Sequence, residues 1–195
     1  ICFPAGILQA PFFDPAADDA TNYGAIGVVI GHEMTHGFDD QGSQFDKEGN
    51  LRNWWTPQDM ANFKARTERM VRFFDAIEVL PGLHCNGALT CGENIADHGG
   101  LKVAYQAFRN ATARNPLPKF EGFTPDQRFF ISYAQVWANN IRPEALRNQV
   151  KTDPHAPGRW RVNGALPQID AWYNAFGIKK GDKLFVPKNK RVDVW

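Results

Sequence analysis

The chain has 195 residues, 43% of them hydrophobic and 22% charged, and its 22 basic and 21 acidic side chains leave a formal net charge of +1. These values are typical of a single folded domain with a sizeable core. A net charge this close to zero gives no support to nucleic-acid binding. A membrane-spanning helix needs about 18 or more consecutive apolar residues, and no apolar run in the sequence is that long. We therefore expect one domain, residues 1–195, with no nucleic-acid partner and no membrane span.

The beginning of the chain and its cysteines bear on its origin. The sequence starts at Ile1 with neither an initiating methionine nor a signal peptide, and its first residues are apolar and strand-like. We expect a piece of a larger protein. Three cysteines are too few for a disulfide scaffold. Cys85 and Cys91 are close enough in sequence to be bridged, which would leave Cys2 over.

A first helix is predicted over about residues 21–36. Thr21 and Asn22 are residue types that cap a helix N-terminus, and Gly37 is of the type that ends a helix. We expect the apolar side of this helix to be core and its histidine side to border a cleft. Helical spacing relates four apolar residues on the side expected in the core: Tyr23, Ile26, Val29 and Ile30.

This helix carries the sequence His-Glu-Met-Thr-His at residues 32–36, an H-E-x-x-H motif. Residues i and i+4 share a helix face, so His32 and His36 can offer two imidazoles to one metal ion. Glu33 is placed to reach a water beside that metal. The pattern builds a zinc hydrolase with a carboxylate base. Taken alone it is moderately specific, because two histidines on a solvated helix give the same five letters.

Two further elements precede the next motif. Residues 45–51 predict a tight turn between two short strands. Thr56 followed by Pro57 predicts a capped helix start. The helix that follows has an apolar stripe that we expect in the core: Met60, Phe63, Met70, Val71 and Phe74.

A second motif helix opens at Gly92 and offers a third ligand. Glu93 and Asp97 are four residues apart, so both carboxylates face one way, and burying them together requires a cation or donors. Two histidines and one carboxylate fit catalytic zinc, which keeps one position for water. The segment beginning at Thr90 also fits a capping box, in which Glu93 caps its own helix. Spacing leaves these two interpretations open.

The C-terminal half is predicted to be mostly helical. Thr124 starts a capping box, and Pro143 restarts a helix that should end near Lys151. Residues 153–158, with two prolines, are predicted to be loop, and residues 160–162 to be extended. A short helix over 169–176 is closed by Gly177, and the basic residues 179–190 predict a solvated surface segment.

Several long segments resemble the neprilysin family of zinc metallopeptidases, which includes endothelin-converting enzyme and bacterial oligopeptidase O. They run through nearly the whole chain in the family's order: residues 3–9, 29–40, 92–97, 134–137, 142–144 and 151–158, and Trp195. The resemblance implies a mainly α-helical, thermolysin-like zincin catalytic domain with a little β-structure. It also implies the C-terminal part of a larger two-domain peptidase whose N-terminal portion is a partner.

The resemblance also implies roles at the metal. His32, His36 and Glu93 look like the ligands of one Zn²⁺, and Glu33 looks like the general base that moves a proton from water to the leaving amine. The carboxylates of Asp39 and Asp97 look like groups that hold the ligand histidines in place behind the metal, with Asp97 belonging to the catalytic set.

Further roles concern the substrate. His155 looks like a catalytic donor to the oxyanion of the tetrahedral intermediate, with Asp153 orienting it. Arg161 looks like the guanidinium that holds a substrate backbone carbonyl. Four residues look like walls of the pocket for the residue after the scissile bond, and each is also explained by ordinary core packing: Phe12, Val28, Val29 and Trp137.

The function expected is zinc-dependent endoproteolysis of short peptides. A metzincin would carry its third histidine at position 42, which is glycine. A fragment that binds zinc or peptide without turnover is the alternative from another class. Animal relatives are richer in cysteine, so we expect a bacterial protein. An extracytoplasmic location, reached by secretion or by an anchor in the absent N-terminal portion, is expected, with a cytoplasmic one as the alternative.

Overall fold

Helices account for most of the structure, a computed structural model that describes all 195 residues. The α-helices are α1 (Asp19–Asn22), α2 (Val28–Thr35), α3 (Pro57–Asp75), α4 (Cys91–Thr112), α5 (Pro125–Val136), α6 (Pro143–Thr152), α7 (Gly158–Ala165) and α8 (Asp170–Phe176). Strands β1 (Glu78–Leu80) and β2 (Leu83–His84) form one antiparallel hairpin. This confirms the predicted fold class, mainly α with a little β. No helix is both long and apolar enough to cross a membrane.

The first motif helix begins earlier than predicted. Asp18 is its N-cap, and its side chain accepts from the backbone N–H of Thr21 at 2.9 Å. Thr21 therefore lies inside the first turn, as does Asn22, and the prediction that they cap the helix is wrong. A π-helical segment, Tyr23–Gly27, joins α1 to α2 with helical backbone at both junctions, and a 3-10 turn, His36–Phe38, follows α2.

Two other predicted caps are confirmed. The Thr56 hydroxyl accepts from the backbone N–H of Asp59 at the start of α3. Thr124 and Gln127 form the reciprocal capping box of α5. The turn at residues 45–51 is closed by a single antiparallel bridge, Phe45 to Leu51, and not by two strands.

Residues 160–162 were predicted to be extended, and that is wrong. They belong to α7, whose N-cap Pro157 has φ −54° and ψ 142° and whose carbonyl accepts from the backbone N–H groups of Trp160 and Arg161. Pro157 is therefore a helix start and not part of a continuing loop. Helix α8 ends at Gly177, which adopts the left-handed conformation with φ 64°, as predicted.

Two buried apolar clusters stabilise the domain. The larger one joins α4, α5 and α8 through Leu101, Phe108, Phe129, Tyr133 and Trp172 among others. The second joins α3, the start of α4 and residues 192–194. Cys85 and Cys91 both lie in this second cluster as free thiols, so the bridge considered between them is not formed.

Candidate metal and catalytic site

Helices α2 and α4 cross at glycines, and this contact positions the site. A Cβ on Gly100 would lie 2.6 Å from the backbone N of His32, and one on Gly31 would lie 3.0 Å from Cα of Gly100. The two backbones therefore touch without intervening side chains. This close approach brings the turn with His32 and His36 to face Glu93 across the helix pair.

Donor atoms of three residues converge at this crossing. His32 Nε2 lies 3.0 Å from His36 Nε2 and 3.2 Å from Glu93 Oε2, and His36 Nε2 lies 3.5 Å from Glu93 Oε1. Tetrahedral zinc with bonds of about 2.0–2.2 Å separates its ligands by about 3.3–3.6 Å. The donor set is nearly of that size.

The tautomers of the two histidines also call for a cation. His32 Nδ1 donates to Asp97 Oδ1 at 2.9 Å, and His36 Nδ1 donates to Asp39 Oδ2 at 2.7 Å. In neutral rings this leaves both Nε2 atoms as acceptors that face each other and a carboxylate. Such an arrangement is repulsive unless a cation or a proton lies between them, and the residues therefore fit a zinc ion.

The proton affinities follow from the same contacts. Burial opposes a charge on His32, yet its hydrogen bonds to Asp97 and Glu93 raise the pKa of His32 to about 9. Asp39, hydrogen-bonded to His36, raises the pKa of that histidine as well. A metal bound here therefore competes with protons for the same nitrogens.

The alternative role of Glu93 as a helix cap does not occur. The backbone N–H of Thr90, which a capping box would give to Glu93, donates to the carbonyl of Asn86 at 3.0 Å. The Thr90 side chain makes no capping bond to α4. Position 42 also has no room for a metzincin histidine, since a Cβ on Gly42 would lie 1.8 Å from the carbonyl oxygen of His36.

A buried arginine stands behind the donor set. Arg161 on α7 donates from Nε and Nη2 to the two carboxylate oxygens of Asp97, each at 2.7 Å, and its Nη2 lies 3.3 Å from Glu93 Oε2. Its guanidinium stacks on Trp137 at 3.9 Å from the ring centroid. Burial would raise the pKa of the Asp97 carboxyl, but Arg161 and His32 hold it at about 2. Nη1 of Arg161 makes no hydrogen bond within the chain.

His155 lies in the loop between α6 and α7. Asp153 Oδ1 accepts from the His155 ring Nδ1 at 2.7 Å and from its backbone N–H at 2.9 Å. His155 Nε2 points to the same region, 3.3 Å from Glu93 Oε1. Asp153 thus fixes the ring orientation.

A cavity of about 450 Å³ opens beside these groups. Its lining includes Glu33, His32, His155 and Arg161, and all four predicted wall residues: Phe12, Val28, Val29 and Trp137. Other lining residues were not predicted: Ile7, Ala25, Tyr133, Val136, Asn139, Gln149, Ala156 and Gly158. They come from separate segments, and no local pattern in the sequence marks them as neighbours.

Comparison with known proteins gives a consistent result. The model of the family described as peptidase family M13 matches residues 1–192. An endothelin-converting enzyme homolog of Locusta migratoria is 47% identical over 199 residues, covering 100% of this chain and 27% of that protein. Human neprilysin is 44% identical over 201 residues, covering 100% of this chain and 26% of neprilysin.

Solved structures agree. Mycobacterium tuberculosis zinc metalloprotease Zmp1 in complex with an inhibitor superposes with a TM-score of 0.95 at 45% identity, covering 98% of this chain and 30% of that one. PepO of Lactobacillus rhamnosis HN001 gives a TM-score of 0.85 at 38% identity, covering 97% and 29%. The chain therefore spans between a quarter and a third of these proteins. Similar identity to insect, human and mycobacterial proteins does not separate the expected bacterial source from an animal one.

Proposed function

Because this chain belongs to peptidase family M13, we propose that residues 1–195 form the catalytic domain of a zinc-dependent endopeptidase that hydrolyses internal bonds of short peptides. The observation that carries the proposal is the convergence of donor atoms from His32, His36 and Glu93 beside a cavity lined by Glu33. Zinc held by these three residues would supply a Lewis acid that polarises the scissile carbonyl and lowers the pKa of water.

Glu33 is the proposed general base. It lines the cavity one residue from His32, and its carboxylate makes no hydrogen bond within the chain. It is therefore free to take a proton from the attacking water and to deliver that proton to the leaving amine nitrogen.

His155 and Arg161 are proposed to bind the substrate's oxygens. In the protonated ring both nitrogens donate, so Asp153 can hold Nδ1 while Nε2–H donates to the oxyanion. Arg161 uses Nε and Nη2 on Asp97, which leaves Nη1 to donate to a backbone carbonyl of the peptide. Asp97 and Asp39 keep the ligand histidines in the tautomer that presents Nε2.

The whole protein is also part of the proposal. Since the relatives are about four times as long, we propose an N-terminal portion that covers the cavity and restricts substrates to short peptides. An extracytoplasmic location follows the family resemblance, and cell fractionation tests it.

The test of the central proposal measures zinc and turnover together. Purified protein should contain one zinc per chain and cleave a quenched fluorogenic peptide at an internal bond. A chelator should abolish cleavage, and added zinc should restore it. Stoichiometric zinc with no cleavage of any peptide, even by the longer protein, would favour a binding module without turnover.

A further inference from the structure

Two carboxamide side chains in the cavity have no partner. Five of its polar side chains form two separate hydrogen-bonded groups, His32 with Asp97 and Arg161, and Asp153 with His155. Glu33 has the role of base. The Tyr133 hydroxyl donates to the carbonyl of Arg161. The carboxamides of Asn139 and Gln149 make no hydrogen bond within the chain, and the indole N–H of Trp137, which can only donate, is also without a partner.

The fold places both amides at the cavity. Gln149 lies on α6, one turn before the loop with His155, and is half-buried. Asn139 is exposed and follows α5, and it packs on Gly158, where a Cβ would lie 2.7 Å from Asn139 Nδ2. The absent side chain at Gly158 therefore leaves room for Asn139 beside the cavity.

The remaining lining is apolar or already charge-balanced. Val28, Val29 and Phe12 supply an apolar surface. Arg161 is paired with Asp97, and Asp153 with His155, so an acidic side chain entering the cavity would find no free cation. The one unpaired charge is the carboxylate of Glu33, and a basic side chain bound to it would block the proposed base. A carboxamide both donates and accepts, and it suits a neutral polar group.

We propose that Gln149 and Asn139 are specificity-determining residues, and that the cavity selects a large side chain with an apolar stem and a neutral hydrogen-bonding end. Glutamine and tyrosine have that chemistry. The inference rests on the proposed function, because it places this side chain directly after the scissile bond. It adds a selection for polarity to a pocket whose other walls select for size.

The experiment compares matched peptides that differ only at the residue after the scissile bond, glutamine against leucine. Gln149→Leu and Asn139→Leu keep the size of the side chain and remove its hydrogen bonds. A neutral hydrogen bond is worth roughly 2- to 10-fold, so each substitution should lower the glutamine-to-leucine ratio of kcat/KM by that factor. Controls are Asn148→Leu and Asn140→Leu, neighbouring exposed positions that do not line the cavity.

Binding of reduced-amide analogues of both peptides, measured by calorimetry, separates this inference from the proposed function. Selective binding that both cavity substitutions abolish would support the inference even if the zinc-loaded protein cleaved nothing, in which case the proposed function fails alone. The inference is overturned if the parent protein binds and cleaves the leucine peptide at least as well as the glutamine peptide. It is also overturned if a protein that carries both Gln149→Leu and Asn139→Leu keeps the glutamine-to-leucine ratio of kcat/KM of the parent protein.

Discussion

The carboxylate of Asp97 and the guanidinium of Arg161 are both buried and meet behind His32, where each neutralises the charge of the other. Asp97 is 2% exposed and Arg161 5% exposed. Each oxygen of Asp97 receives a charge-assisted hydrogen bond, as such a buried pair requires. Removing Arg161 outright would leave the buried charge of Asp97 without its guanidinium and with only the hydrogen bond from His32, and breaking a buried ion pair in this way costs about 3–5 kcal/mol. Arg161→Ala therefore tests stability as much as substrate binding.

A sharper test at the residue scale is Glu33→Gln. The amide keeps the shape of the side chain but cannot accept the water proton, so we expect zinc content and thermal stability to be unchanged and kcat to fall by about 10²–10⁴-fold or more. Zinc analysis, unfolding curves and kcat are measured on the same preparation. Glu144→Gln, on the exposed first turn of α6, is the matched control. Substantial kcat in a zinc-replete Glu33→Gln protein would assign the base to another group.

His98 provides a prediction about acid stability. It is 1% exposed, neither ring nitrogen has a hydrogen-bond partner, and Nε2 lies 4.0 Å from Asp193 Oδ1, too far for a hydrogen bond. Burial, with a smaller contribution from Lys102, lowers the pKa of His98 to about 4. In the unfolded chain a histidine has a pKa of about 6.5. Below about pH 6.5 the unfolded chain therefore binds a proton that the folded chain refuses.

The free energy of unfolding should accordingly fall as the pH drops from about 6.5 towards 4, and at pH 5 His98 should account for about 2 kcal/mol of the loss. His98→Asn cannot take up this proton. The difference in unfolding free energy between pH 7 and pH 5, from urea titrations, should therefore be smaller in this variant by about that amount. His84→Asn, at an exposed histidine, should behave as the parent. An unchanged difference in His98→Asn would show that His98 is not held neutral.

At the scale of elements, the contact between α2 and α4 determines the site. We predict that Gly100→Ala destabilises the protein by about 1–3 kcal/mol or more and weakens zinc binding, because its Cβ would lie 2.6 Å from His32 N and 2.7 Å from Val28 O. Urea unfolding and zinc titration measure the two effects.

Gly27→Ala, in the π-helical segment that runs into α2, is the control. Its Cβ would meet no atom closer than 3.5 Å, which is ordinary contact. Alanine is the better helix former by about 1 kcal/mol, so Gly27→Ala should be neutral or slightly stabilising. Equal effects of the two substitutions would contradict the close-approach account.

The sequence predicts local features of the helices correctly, but it does not predict the contact between α2 and α4. Caps at Thr56 and Thr124 are local, so the sequence predicts them correctly. The buried face of the first motif helix was predicted correctly only in part. Ile26 is 7% exposed, as expected of a core residue. Ile30, expected in the core, is 41% exposed, whereas Gly31 and His32 are buried against α4. Periodicity assumes that large apolar residues form the interface, and here small ones do.

The residues of the site also divide into those that local spacing predicts and those that depend on packing between elements. The motifs named the residues of α2 and α4 that the structure brings together, because i and i+4 spacing is fixed within each helix. Asn139 and Gln149 were missed, since their proximity depends on how α5 and α6 pack and not on any spacing. Trp160 and Val162 are of residue types that suit strands, but the helix start at Pro157 overrides that propensity.

At the scale of the whole molecule, several large apolar side chains are exposed to solvent, and nothing within the chain covers them. In the N-terminal segment Ile1 is 78% and Leu8 51% exposed. Beyond it, Met34 and Phe38 on the ligand-bearing helix and its following turn are 55% and 49% exposed. Clustered exposed apolar residues mark contact surfaces or aggregation sites. Both groups are candidates for contact with the remainder proposed from the length of the relatives.

The last prediction joins that surface to activity. We expect the 195-residue chain to bind zinc, since all three donors lie within it, yet to cleave peptides poorly and to self-associate. A portion that covers the cavity would also help to position the peptide, and poor positioning can cost factors of about 10² or more with the chemistry intact. The measurement is kcat/KM on one short fluorogenic peptide for this chain, for the chain mixed with the remaining portion, and for the longer protein, with oligomeric state by light scattering. Met34→Lys should reduce self-association of the short chain, whereas Val103→Lys, at a 52% exposed position on α4, serves as a control. Full activity from a monomeric 195-residue chain would show that the site needs no further portion and that the exposed apolar residues have no covering partner.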